Sequence, residues 1–120
     1  MMKRERSVLQ NKSEAFSERV VKMYQYLNAV KHEQILSKQA LRSGTSIGAN
    51  ISESRNAQSK ADFINKLNIA LKEADETLYW LKNLYVGGYL KDKEYESINH
   101  DAEELVKILV SSIKTLKGQH

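Results

Sequence analysis

The chain has no cysteine and no proline. Without cysteine there is no disulfide framework, no thiolate nucleophile and no Cys-ligated zinc or iron–sulfur site. Without proline the strongest helix breaker is gone, so long uninterrupted helices are expected. Glycine is sparse, with five in 120 residues. Long apolar runs are missing as well: no window approaches the roughly 18 consecutive apolar residues of a membrane span. The opening Met1-Met2-Lys3-Arg4-Glu5-Arg6 is basic, but polar residues follow it where a secretory signal would turn apolar. These absences predict a cytoplasmic chain with no membrane partner.

Hydrophobic residues make up 41% and charged residues 28%, an ordinary globular balance that argues against disorder. The length fits one domain. Net charge is only +4, but it is unevenly spread. Residues 1–60 carry eleven basic and five acidic side chains, and residues 61–120 carry eight and ten. A basic first half points modestly towards phosphate-rich partners such as RNA or DNA. Independent solvation of each charge is the plainer alternative.

Apolar spacing predicts four helices. Residues 1–12 read as a loose polar arm, with Asn11 or Ser13 capping the first helix. Phe16, Val20, Met23, Leu27 and Val30 then form one helical face running to about Lys31. The second helix begins near Ile35–Ser37, runs to about Ser54 and is rich in small residues, among them Ala40, Ser43, Gly44 and Gly48. Small residues suit a close approach by another backbone; a break at Gly44 or Gly48 is the alternative. Ser59 and Asp62 mark the start of the third helix. In it Phe63, Leu67, Ala70, Ala74, Thr77, Leu81 and Leu84 keep a 4,3 rhythm, and Ile64, Leu71, Leu78 and Tyr85 form a second stripe. One amphipathic face is about 100° wide. This one is wider, which predicts a subunit interface formed by Ile64, Leu71, Leu78, Tyr85 and the off-seam Trp80. Gly87-Gly88 ends the helix. Asp92 is expected to cap the last helix, whose seam includes Tyr95, Ile98, Ala102, Leu105, Leu109, Ser112 and Leu116, and residues 118–120 are expected to fray. The fold expected is all-α, an antiparallel up-down four-helix bundle over 13–117.

No constellation for catalysis is visible. Helical bundles often house di-metal sites built on Glu-x-x-His pairs. The residues three before His32, His100 and His120 are Ala29, Ser97 and Lys117, none of them acidic. Gly44 and Gly48 lack the Lys-Ser/Thr of a phosphate loop. No cofactor and no metal is expected, and the chain reads as a non-enzyme. Lys38, Arg42, Arg55 and Lys60 flank the second helix and its following loop. Gathered on one rim and multiplied by an oligomer, they would form a ring of positive potential able to hold phosphates.

The stretch Leu41-Arg42-Ser43-Gly44-Thr45-Ser46-Ile47-Gly48-Ala49-Asn50-Ile51-Ser52-Glu53 resembles the signature of the bacterial four-helix-bundle proteins, the 23S rRNA intervening-sequence protein family. The matching positions include Ser46, Ile47, Asn50, Ile51 and Glu53. The likeness continues through Ser59, Asp62, Phe63, Ala70, Glu76 and Leu81 to Gly88-Tyr89-Leu90. The chain departs from the pattern at Ser54, where the family commonly has Gly, and at Lys72-Glu73, where it often has Gly-Ser. The resemblance implies a bundle that assembles as a ring-like homopentamer. It also implies kinship with the accessory variability determinant of diversity-generating retroelements, which binds nucleic acid and a reverse transcriptase through a basic surface. Asn50 and Glu53 read as a structural pair that fixes the second helix against its neighbours. Two functions follow as expectations: a non-enzymatic oligomer that binds RNA or DNA phosphates, or an oligomeric scaffold for a protein partner with no nucleic-acid binding.

Overall fold

The computed structural model describes residues 7–118. These form α1 (Val8–Ala29), α2 (Ile35–Ser54), α3 (Lys60–Val86) and α4 (Asp92–Leu116), with no strand among the described residues. Links of five residues join them. Five residues reach at most about 18 Å, too short to return along the roughly 30 Å length of α2. Neighbouring helices must therefore run antiparallel, and their contacts do. Val20 meets Gly44 while Ser13 meets Gly48. Ser43 meets Thr77 while Glu53 meets Lys66. Lys12 meets Glu104 while Arg19 meets Asp101. Each helix packs on two others, most extensively α2 on α3 and most sparsely α1 on α4. No helix among the described residues is long and apolar enough to cross a membrane.

α1 begins earlier than its spacing suggests. The expected arm over 1–12 is corrected at 8–12, which are already helical, while residues 1–6 lie outside the described residues. Ser7, rather than Asn11 or Ser13, is the N-cap. Its Oγ accepts from the Gln10 N–H at 3.0 Å, and Gln10 Oε1 accepts from the Ser7 N–H at 3.0 Å. This reciprocal box sits beside Leu9, which is buried seven residues before Phe16 on the same helical face. The far end of α1 stops at Ala29, short of Lys31, and His32 turns the chain with φ 57°.

α2 runs unbroken through both glycines. The reason lies in α1: a Cβ on Gly44 would stand 3.0 Å from Val20 Cγ2, and one on Gly48 would stand 3.3 Å from Ser17 Oγ. The missing side chains let α1 come close, as the small-residue pattern predicts. α3 starts where expected, with Ser59 Oγ accepting from the Asp62 N–H at 3.0 Å. Its end is a Schellman turn: Tyr89 N–H donates to Leu84 O, Gly88 N–H donates to Tyr85 O, and Gly88 holds φ 83°. The cap of α4 is Lys91, one residue before Asp92; its N–H donates to Glu94 Oε1 at 2.8 Å. Gly118, expected to fray, closes α4 with its N–H on Thr115 O and φ 73°; residues 119–120 lie outside the described residues.

The core follows the predicted seams except at Val30, which lies past the end of α1 and is exposed. Phe16, Val20 and Leu27 of α1 meet Ala40, Ile47 and Ile51 of α2, Leu67, Leu81 and Leu84 of α3, and Leu105 and Leu109 of α4. The buried hydroxyls of Ser13, Ser37 and Ser54 bond to carbonyls three or four residues back, and no buried side-chain nitrogen or oxygen among the described residues lacks a partner.

Candidate functional site

The α2–α3 contact carries most of the polar structure. Buried Ser43 and Thr77 sit 2.9 Å apart, and Thr77 Oγ1 also lies 2.7 Å from Glu73 O. One hydroxyl proton serves one acceptor. Thr77 therefore donates to Glu73 O, and Ser43 donates to Thr77. Beside this pair, at the edge of the seam, Arg42 pairs with Glu76, the residue before Thr77, and, at 3.5 Å, with Glu73, one turn before it. Glu76 Oε2 also accepts from Trp80 Nε1 at 3.2 Å, and Trp80 packs edge-on against Tyr79 at 5.0 Å. Arg42, Glu76 and Trp80 thus form one chain of contacts from α2 out along α3.

This geometry separates the four cations named from sequence. Lys38 and Arg42 lie one turn apart near the start of α2, while Arg55 and Lys60 flank its far end. Seventeen residues of helix, about 26 Å, lie between Lys38 and Arg55. No single rim of one chain holds all four. Arg42 is already engaged by two carboxylates, one of which, Glu73, stands where the resembled family often has Ser. Among the described residues no carboxylate pairs with Lys38, Arg55 or Lys60, and all three are exposed.

The signature residues divide by depth. Ile47 and Ile51 are core, and Phe63 packs against it from a half-buried position. Ser46 Oγ donates to Arg42 O at 2.7 Å, and Asn50 Nδ2 donates to Ser46 O at 2.9 Å, both within α2. Glu53 is exposed and reaches Lys66 of α3 at 3.6 Å. Of the Asn50–Glu53 pair, then, only Glu53 makes a polar side-chain contact with a neighbouring helix among the described residues.

The breadth of α3 has a partly internal origin. α3 packs between α2 and α4. Of the stripe Ile64, Leu71, Leu78 and Tyr85, it is Tyr85 that turns towards α4, where it stacks on Tyr95 at 4.4 Å and donates to Asp92 Oδ1 at 2.8 Å. That bond, with the Asp92 charge, lifts the Tyr85 phenol above its usual 10.0. Ile64, Leu71, Leu78 and Trp80 pack against the core, yet each is only partly buried. Beside them Ile69 (37% exposed), Tyr79 (59%) and Val86 (74%) face outward.

Two features escape the sequence reading. Buried Glu33 caps α2: its carboxylate accepts from the N–H groups of Ile35 (3.0 Å), Leu36 (2.9 Å) and Ser37 (2.8 Å). Burial is the strongest influence on its pKa and pushes it up. The hydrogen bonds from Leu36, Ser37 and Ile35 together outweigh burial and hold it below the ordinary 4.5. An acidic residue just before a helical run is the signal that could have found it. The second feature is an apolar cleft of about 450 Å³ at the end of the bundle where α1 starts and α4 finishes, walled by Leu9, Ile51, Phe63, Leu67 and Leu116 with Arg55 at its edge. Among the described residues no three His, Asp or Glu side chains gather to hold a metal ion.

A family model described as 23S rRNA-intervening sequence protein matches residues 5–111. A solved structure from Bacteroides thetaiotaomicron, a protein with unknown function from the S23 ribosomal protein family, superposes with a TM-score of 0.88 at 56% identity, covering 89% of this chain and 99% of that one. No curated protein matches the chain.

Proposed function

The chain belongs to the 23S rRNA-intervening sequence protein family, and from that premise we propose that it is a non-enzymatic, cytoplasmic bundle that assembles into a closed homopentameric ring and contacts RNA or DNA phosphates through cations the ring brings together. One observation carries the reading. On α3 the stripe of Ile64, Leu71 and Leu78 is only partly buried in the single chain, as is Trp80 on the opposite flank of the helix, and Tyr79 and Ile69 are exposed on the outer arc between them. Large apolar side chains left open along one helix are what a second copy covers. Lys38, Arg55 and Lys60 then supply the phosphate contacts, and symmetry offsets their separation within one chain. The resemblance to the accessory variability determinant supports the nucleic-acid arm.

The test is binding of a labelled RNA and a labelled duplex at two salt concentrations. If two copies each place three cations on phosphates, duplex affinity falls about 10³-fold between 50 and 200 mM salt. Alanine at Arg55 and Lys60 weakens binding and flattens the salt dependence. Arg42→Ala, although Arg42 was a leading candidate from sequence, has the smaller effect because Glu73 and Glu76 already neutralise it. No binding at low salt overturns this arm. The engagement of Arg42 favours a second reading, an oligomeric scaffold that binds a protein partner and no nucleic acid. A ring that forms normally yet binds neither RNA nor DNA selects it.

A further inference from the structure

We propose that the apolar cleft at the α1-start end of the bundle is a binding site for a small amphipathic carboxylate, specifically a free medium-chain fatty acid, with the alkyl chain between α1, α3 and α4 and the carboxylate on Arg55. The cleft holds about 450 Å³, within the roughly 300–1,000 Å³ typical of small-molecule sites. Leu9, Ile51, Phe63, Leu67 and Leu116 give it apolar walls contributed by all four helices. Phe63 has a role here that its place in the core rhythm does not explain: it is half-buried and turned to the cleft.

Arg55 is the one charged side chain on this lining among the described residues. It is exposed, and no carboxylate among the described residues pairs with it. A guanidinium free at the mouth of an apolar groove selects a planar anion that it can grip with two N–H groups. A cationic amphiphile is repelled there, and a neutral one leaves the guanidinium unused. The remaining polar lining, Ser111, Ser112 and Thr115 on the last turns of α4, Ser7 and Gln10 at the start of α1 and Ser54 at the end of α2, offers hydroxyls and one amide but no competing charge. Arg55 also borders a smaller polar cleft of about 290 Å³ that contains Glu14. The head group therefore sits on the α4 side of Arg55, away from that carboxylate. This site does not depend on nucleic-acid binding or on ring formation.

Calorimetric titration of the full chain with decanoate, below its micelle concentration, tests the site, with decan-1-ol as the neutral isostere. Decanoate is expected to bind saturably, one per chain, and more tightly than decanol. Arg55→Gln weakens decanoate about ten- to hundredfold and leaves decanol unchanged. Ser112→Phe, which fills the cleft, blocks both. If Ser112→Phe fails to fold, the Arg55→Gln comparison decides alone, because Arg55 is exposed and exchange of an exposed side chain leaves the fold standing. Absence of saturable decanoate binding, or equal decanoate affinity in the wild type and Arg55→Gln, overturns the proposal.

Discussion

Gly44→Ala puts two opposed effects at one atom. In a helix interior the change gains about 1 kcal/mol from backbone entropy. The new Cβ, however, lands 3.0 Å from Val20 Cγ2 and 3.1 Å from Val20 Cγ1, well inside the roughly 3.5–4.0 Å optimum for carbon contacts. Val20 is fully buried and β-branched, with almost no rotamer freedom in a helix. It cannot swing aside, so α1 must move from α2, and overpacking of that kind costs about 1–3 kcal/mol. The net expectation is a loss of about 1 kcal/mol, or about 0.5–1 M in the urea midpoint, read at fixed protein concentration because assembly adds to apparent stability. In a Val20→Ala background the clash is gone. Gly44→Ala should then stabilise by about 1 kcal/mol, so the cycle shows a coupling of about 2 kcal/mol. If Gly44→Ala stabilises the wild type, or shifts both backgrounds equally, close α1–α2 approach is not what the glycine provides.

Other substitutions probe the polar contacts. Glu33→Gln weakens the α2 cap and lowers stability by about 1 kcal/mol at neutral pH. Because the folded state holds the Glu33 pKa below its ordinary 4.5, its contribution is complete above that value and disappears as pH falls through the lowered one. The wild type should therefore lose urea resistance faster than Glu33→Gln on acidification; parallel curves contradict the assignment. Thr77→Val removes the acceptor of the buried Ser43 hydroxyl and costs about 1–2 kcal/mol. Denaturation of Ser43→Ala/Thr77→Val should show less than the sum of the single losses. Arg42→Ala frees Glu76, the partner of Trp80 Nε1, and should shift Trp80 fluorescence; an unchanged spectrum in both intensity and maximum rules out the three-residue chain of contacts.

The four helices were legible because their apolar seams recur over several turns and no proline interrupts them. The 4,3 rhythm of Leu67, Ala70, Ala74, Leu81 and Leu84 is the buried line of α3. Even the glycines of α2 were readable as sites of close approach. The ends were less legible. Ser7 and Gln10 form a capping box inside a segment whose polarity suggested a loose arm, and only the burial of Leu9 reveals why the helix extends so far. The candidate site was the least legible part. Charge along a sequence does not say which cations meet carboxylates, and Arg42 meets two across a helix pair. The width of the α3 face was read as one surface for another copy, whereas its α4 side is shared with Tyr95 of the same chain. The cleft around Phe63 is made by four distant segments, and no local spacing encodes it.

Light scattering on the purified chain at micromolar concentration tests the central reading most directly. A chain of 13.8 kDa whose α3 stripe is covered by copies of itself should appear as one species of several-fold that mass, fivefold for the ring. Leu78→Glu, which places a charge in the partly buried stripe, should reduce it to a folded monomer. A wild type that scatters as a monodisperse monomer contradicts the account.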